Sequence, residues 1–162
     1  MTFNFSEFKN KKIIVTGSST GIGFETGVEF LNLGANVIFH GNQSINDLEA
    51  RIKTKSQSKN FKLFKSDFTD LSQVDNFMND AINYLDGLDI LVNNAGTMVG
   101  RYQLDSISEK DFLKIFDLNA KSAYFATKSA CTIFKKQNYG NIINVSTISA
   151  RTGGSAGSSV YA

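Results

Sequence analysis

The sequence contains no proline, no tryptophan, one cysteine and one histidine. With Cys131 alone, no disulfide can close within the chain, and a reducing cytoplasm is the expected location. With His40 alone, no histidine metal site can be built, and no metal is expected. No apolar stretch approaches the roughly 20 residues that a membrane-spanning helix needs. Residues 1–10 mix polar and aromatic side chains without an apolar run, so they do not read as a secretory leader. Excess charge is scarce too. Lys and Arg total 17 against 15 for Asp and Glu, a net charge of +2. That argues for neither nucleic acid nor a membrane surface as a partner. Nothing in the pattern that follows explains the missing prolines.

What remains is a globular composition, 41% hydrophobic and 20% charged over 162 residues. That is enough for one domain, residues 1–162, with a sizeable core. Short apolar runs alternate with longer stretches of helical spacing. Residues 13–15, 36–40, 61–65, 88–92 and 141–145 read as strands. Residues 24–33 and 44–55 read as helices, the second carrying Leu48 and Ile52 four apart. Residues 70–85 place Leu71, Val74, Phe77, Met78, Ala81, Ile82 and Leu85 on one face, with Asp70 as the N-cap. Residues 108–137 read as a long helix broken near Asn119, and residues 151–162 as a Gly- and Ser-rich loop. Alternating strands and helices predict a parallel α/β sheet with right-handed crossovers.

Between the first strand and its helix lies Thr16-Gly-Ser-Ser-Thr-Gly-Ile-Gly23. Glycines at such a turn let the backbone approach a pyrophosphate, and the following helix offers free N–H groups and a positive dipole end. The spacing is T-G-x-x-x-G-x-G, not G-x-G-x-x-G, so taken alone an ordinary strand-to-helix turn explains it as well. The other strand ends are also polar or small. They carry His40-Gly41-Asn42, Ser66-Asp67-Phe68, Asn93-Asn94-Ala95-Gly96 and Ser146-Thr147. Turns favour such residues anyway. Five such ends together fit a ligand cleft outside the carboxyl edge of the sheet.

These motifs, in this order and leading to Tyr161, resemble the short-chain dehydrogenase/reductases over nearly the whole chain. Similar members include 3-oxoacyl-carrier-protein reductases and sugar or alcohol dehydrogenases. The resemblance implies a doubly wound, Rossmann-like sheet with strand order 3-2-1-4-5. It implies a reaction as well, hydride transfer between a nicotinamide cofactor and a small-molecule carbonyl or secondary alcohol.

Roles follow by position. Gly17, Ser19, Gly21, Ile22 and Gly23 would line the pyrophosphate and adenosine ribose, with Thr20 between them. Asp67 would hydrogen-bond the adenine, beside the Phe68 backbone. Asn94, Ala95 and Gly96 would brace the fourth strand and touch the nicotinamide ribose. Asn119 would break a helix and hold a proton-relay water; its plainer alternative is a solvent-facing helix residue. Tyr161 would carry the proton of the substrate oxygen. A free tyrosine titrates at about 10, so the family supplies a lysine ammonium and the nicotinamide charge to stabilise the phenolate.

Two departures stand out. The family's catalytic serine position holds Thr147, with Ser146 before it as the alternative. The family pattern Tyr-x-x-x-Lys is represented only by Tyr161-Ala162. The lysine and the final strands are absent, so the sequence reads as the N-terminal part of a longer reductase. The 162-residue chain itself is then expected to be inactive, with a frayed end at Tyr161. The rival is a cofactor-binding or interaction protein without catalysis. A homo-oligomer is expected of a complete family member and not of this chain. For the cofactor, an NAD site places an acid at the end of the second strand. Here His40 and Asn42 stand there, free to take a 2′-phosphate, so NADP is favoured and NAD remains possible. The plainer reading of His40 is a solvent-exposed strand end.

Overall fold

The computed structural model describes residues 5–42, 45 and 47–162. A 3-10 turn at Phe5–Phe8 leads into β1 (Lys12–Val15), α1 (Gly21–Asn32) and β2 (Asn36–Gly41). Then follow α2 (Leu48–Lys55), β3 (Phe61–Lys65), α3 (Leu71–Leu85) and β4 (Ile90–Asn93). The last elements are α4 (Glu109–Phe116), a π-helical turn (Asp117–Lys121), α5 (Ser122–Gln137), β5 (Asn141–Asn144) and a short α6 (Ser149–Thr152). The five strands form one sheet in the order β3-β2-β1-β4-β5. Every neighbouring pair is parallel.

β1 shows why the sheet is wound on both faces. Its last three residues, Ile13, Ile14 and Val15, are β-branched and fully buried, and successive side chains point to opposite sides. Ile13 and Val15 join Val37, Phe39 and Val92 under α1 and α2. Ile14 joins Ile38 and Leu91 under α3 and α5, against Val74, Phe77, Met78 and Ala81. α3 buries the face that its sequence spacing assigns, and the Asp70 carboxylate accepts from the Ser72 N–H at 2.9 Å. That cap satisfies one of the donors a helix start leaves open.

Several boundaries differ from the sequence reading. α1 begins at Gly21, inside the glycine motif rather than after it. α2 begins at Leu48; the expected start, Ser44, lies outside the described residues. β4 begins at Ile90, because Asp89 already serves as a crossing point, its N–H donating to Lys12 O and its carboxylate accepting from Lys12 N. β5 ends at Asn144, one residue short of the expected end, and Ser146 and Thr147 follow the strand. Residues 149–152 wind into a short helix that takes in the first two residues, 151 and 152, of the expected loop. Among the described residues, no helix is long and apolar enough to cross a membrane.

Candidate functional site

The sheet order changes direction between β1 and β4, and the polar strand ends meet there. Thr16 is the pivot. Its Oγ1 donates to Val92 O (3.3 Å) and accepts from the N–H groups of Asn94 (3.0 Å) and Ala95 (2.9 Å). The Asn94 amide reaches back, donating to Thr16 O and Gly17 O, each at 2.9 Å. Asn94 and Ala95 therefore tie the end of β4, the strand that the resemblance has them brace, to the end of β1.

Gly23 of the turn leaves no room for a side chain, since a Cβ there would sit 2.6 Å from Gly17 O, and two further glycines are left-handed. Gly17 (φ +61) lies so close to β4 that a Cβ would sit 2.6 Å from the Ala95 Cα. Gly21 (φ +59) is also left-handed, yet a Cβ there would meet nothing within 4 Å. It opens onto free space. No side chain caps α1 at Thr20, and its first turn holds no acidic residue. Open N–H groups at a helix start beside an unfilled glycine cradle suit an anion. These residues fit the pyrophosphate of a dinucleotide.

His40 does not sit where the sequence suggests. It is 2% exposed, neither facing solvent nor placed to take a phosphate. Its Nδ1 accepts from the Gly17 N–H at 2.9 Å, so the ring proton is on Nε2, which donates to Ser66 O at 3.1 Å. The ring stacks on Phe68, centroids 4.0 Å apart. Burial pushes its pKa down to about 4, against smaller upward pulls from the Ser66 carbonyl and the Asp67 charge. The imidazole is thus a neutral strut joining the ends of β1, β2 and β3. Ser18, which the sequence did not single out, helps it. Fully buried, Ser18 donates to Val15 O (2.6 Å) and accepts from the His40 N–H (2.8 Å).

Asp67 stands at the end of β3. Burial alone would raise its pKa, but Thr69 N–H and hydroxyl (2.9 and 2.8 Å), the Asn42 side chain and the Lys114 charge hold it below the usual carboxylate value. A cleft of about 630 Å³ opens beside it, lined also by Thr69, Leu113, Lys114 and Asp117. Asn42 is exposed, but its side chain is engaged with Asp67.

The helical run breaks where the sequence expects. Asn119 lies in the π-helical turn, and its Nδ2 donates to Thr97 O (2.9 Å) and Ile115 O (2.8 Å). Gly96 permits this approach, since a Cβ there would sit 2.6 Å from the Asn119 Oδ1. Tyr161 is not frayed. Arg101 donates to Ser155 Oγ (2.6 Å) and Ala156 O (3.0 Å), and Tyr102 N–H to Gly157 O (2.9 Å). Tyr161 then lines a tight cleft with Met98, Tyr102 and Ile115. Ile115 of this lining is the α4 residue whose carbonyl takes the Asn119 amide. Thr147 is half-buried, its Oγ1 accepting from Ser149 N–H at 3.2 Å; Ser146 is exposed. Among the described residues, no hydrogen bond joins Thr147 to Tyr161 or Asn119. The described residues also hold no cluster of acidic, Cys or His groups suited to a metal. Arg51 escaped the sequence reading. It donates from Nη1 to Ser19 O at 2.9 Å and stacks on Phe24, and no local pattern signals that reach from α2.

A doubly wound parallel sheet with an open glycine turn at its switch point defines a dinucleotide-binding class of protein. The chain belongs to the short chain dehydrogenase family, whose model matches residues 11–162. It is similar to a probable NADP-dependent mannitol dehydrogenase of Yarrowia lipolytica, 32% identical over 87% of this chain and 51% of that protein. It is also similar to a sorbose reductase of Schizosaccharomyces pombe, 30% identical over 92% of this chain and 59% of that protein. The chain thus spans about half the length of the curated relatives it matches. Among solved structures, an NADH-dependent reductase complexed with NAD superposes with a TM-score of 0.88 at 30% identity, over 98% of this chain and 68% of that one. A Burkholderia cenocepacia short chain dehydrogenase in complex with NADP gives 0.82 at 26%, over 95% and 62%. Both NAD and NADP therefore occur among the proteins to which this chain is similar.

Proposed function

We propose that this chain binds a nicotinamide dinucleotide across the carboxyl ends of its strands, and that it serves hydride transfer to or from a small-molecule carbonyl or secondary alcohol. The observation that carries this is the uncapped start of α1 beside Gly21, whose missing side chain leaves open space at the switch between β1 and β4. Gly17, Ser19, Thr20, Gly21, Ile22 and Gly23 hold the pyrophosphate side. Asp67 and the Phe68 backbone face the adenine. Asn94, Ala95 and Gly96 face the nicotinamide ribose.

NADP is the preferred cofactor in this reading. The end of β2 offers Gly41 and Asn42 and no acid to bind a ribose 2′-hydroxyl. The name of the Yarrowia relative favours the same choice, whereas the NADH-dependent neighbour shows that the fold also accepts NAD.

When bound, the nicotinamide supplies or accepts the hydride. This chain's residues handle the oxygen. Thr147 donates a hydrogen bond from its hydroxyl to the substrate oxygen and stabilises the charge that develops there. Tyr161 carries the proton to or from the same oxygen. Asn119 is fixed by two main-chain carbonyls and holds the π-helical turn against Gly96. Candidate substrates are ketones, 3-oxoacyl thioesters and sugar-like carbonyl compounds. A cytoplasmic, oligomeric enzyme is the expected working form. Residues 1–162 expressed alone place no lysine in the Tyr-x-x-x-Lys pattern, and little turnover is expected from them.

NADPH oxidation with these three substrate types tests the reading. A polypeptide that continues through the lysine should turn over at least one of them, and residues 1–162 alone should not. Turnover by residues 1–162 at the rate of a complete family member would mean that another group replaces the lysine.

A further inference from the structure

Among the described residues, the end of β2 offers few groups that could meet a ribose phosphate. His40 is buried with both ring nitrogens engaged. The Asn42 side chain is bonded to Asp67. Lys55 is held by both carboxylate oxygens of Glu25, at 2.6 and 2.8 Å. One cation nearby is in a different situation. Arg51 lies across the glycine turn, its Cζ 4.5 Å from the Phe24 ring centroid and its Nη1 2.9 Å from Ser19 O. Ser19 in turn abuts the last residue of β2, since a Cβ at Gly41 would sit 2.8 Å from the Ser19 Cβ. Guanidinium, glycine turn and strand end therefore converge on one spot.

Among the described residues, no carboxylate pairs with Arg51. A guanidinium carries five N–H donors, and the Ser19 carbonyl takes only one of them. The carbonyl bond and the aromatic face also fix the side chain in advance, so little freedom is lost when it meets an anion. In a dinucleotide laid along the glycine turn, the 2′ position of the adenosine ribose falls at the end of the second strand.

We infer that Arg51 binds a phosphate on the 2′ oxygen of the adenosine ribose and so sets the preference for NADP over NAD. This rests on the dinucleotide reading above and assigns its selectivity to one residue. Arg51 reaches the site from α2 by crossing the turn.

Calorimetric titration of 2′,5′-ADP and 5′-AMP separates the possibilities, using the unaltered protein, Arg51→Gln and Arg51→Lys. The unaltered protein should bind 2′,5′-ADP more tightly than 5′-AMP. Arg51→Gln should weaken 2′,5′-ADP about 10- to 100-fold and leave 5′-AMP unchanged. Arg51→Lys should retain part of the difference, because it keeps the charge and loses the fork. Equal weakening of both nucleotides would overturn the inference, leaving Arg51 as a prop for the glycine turn. An undiminished preference in Arg51→Gln would overturn it while leaving NADP selectivity intact. An unaltered protein with no preference would defeat the NADP reading itself, and binding of neither nucleotide would defeat the dinucleotide site.

Discussion

The Gly17 amide donates to Nδ1 of His40 at 2.9 Å, so the conformation of the glycine turn depends on a neutral imidazole. Protonation would put a second donor against that N–H. With a folded pKa of about 4 and an ordinary value of 6.5, the folded protein resists the proton that the unfolded chain accepts. Stability from this group is complete above about pH 6.5 and falls as pH drops, levelling off near pH 4 after a loss of about 3 kcal/mol. His40 is the only histidine, so its ring resonance is unambiguous in an NMR titration. A midpoint near 4 is expected. A midpoint near 6.5 would place the ring in solvent.

Thr16→Val should destabilise the fold at the junction of β1 and β4. The methyl group fills the same space, but the N–H groups of Asn94 and Ala95 lose their shared acceptor. Partly buried donors left without partners make the cost about 1–3 kcal/mol. Urea unfolding of Thr16→Val and Thr16→Ser measures it, and the serine variant should lose much less.

Much of this was legible in the sequence because the strands are short and buried on both faces. Residues such as Ile13, Ile14 and Val15 admit few other readings. The amphipathic face of α3 and the break at Asn119 were equally readable, the one from spacing and the other from the family pattern. His40 was not. Local sequence shows a polar residue at a strand end, whereas its burial is decided by Phe68, Phe77 and Ser66, which arrive from β3 and α3. Arg51 was missed for a related reason, since the Ser19 carbonyl it binds lies 32 positions away along the chain. The anchoring of the Tyr161 segment depends on Arg101 and Tyr102, again a distant loop.

Thr147 rather than Ser146 should be the hydroxyl that matters to turnover. Both follow the end of β5, so strand alternation does not decide between them; Thr147 is half-buried and oriented by the Ser149 N–H, while Ser146 is exposed. In a polypeptide that extends through the lysine of the Tyr-x-x-x-Lys pattern, Thr147→Ala should lower kcat by about 100-fold or more. Ser146→Ala should leave it nearly unchanged. Loss of turnover in the serine variant alone would reverse the assignment.

The most direct test of the dinucleotide site is fluorescence titration of NADPH and NADH into the protein and into Gly21→Val. At φ +59 a β-branched residue is strained, and its side chain enters the space left open beside α1. The protein should bind NADPH saturably and more tightly than NADH, and the folded variant should bind NADPH at least about 10-fold more weakly. Undiminished NADPH binding by Gly21→Val would contradict a pyrophosphate seated at this turn.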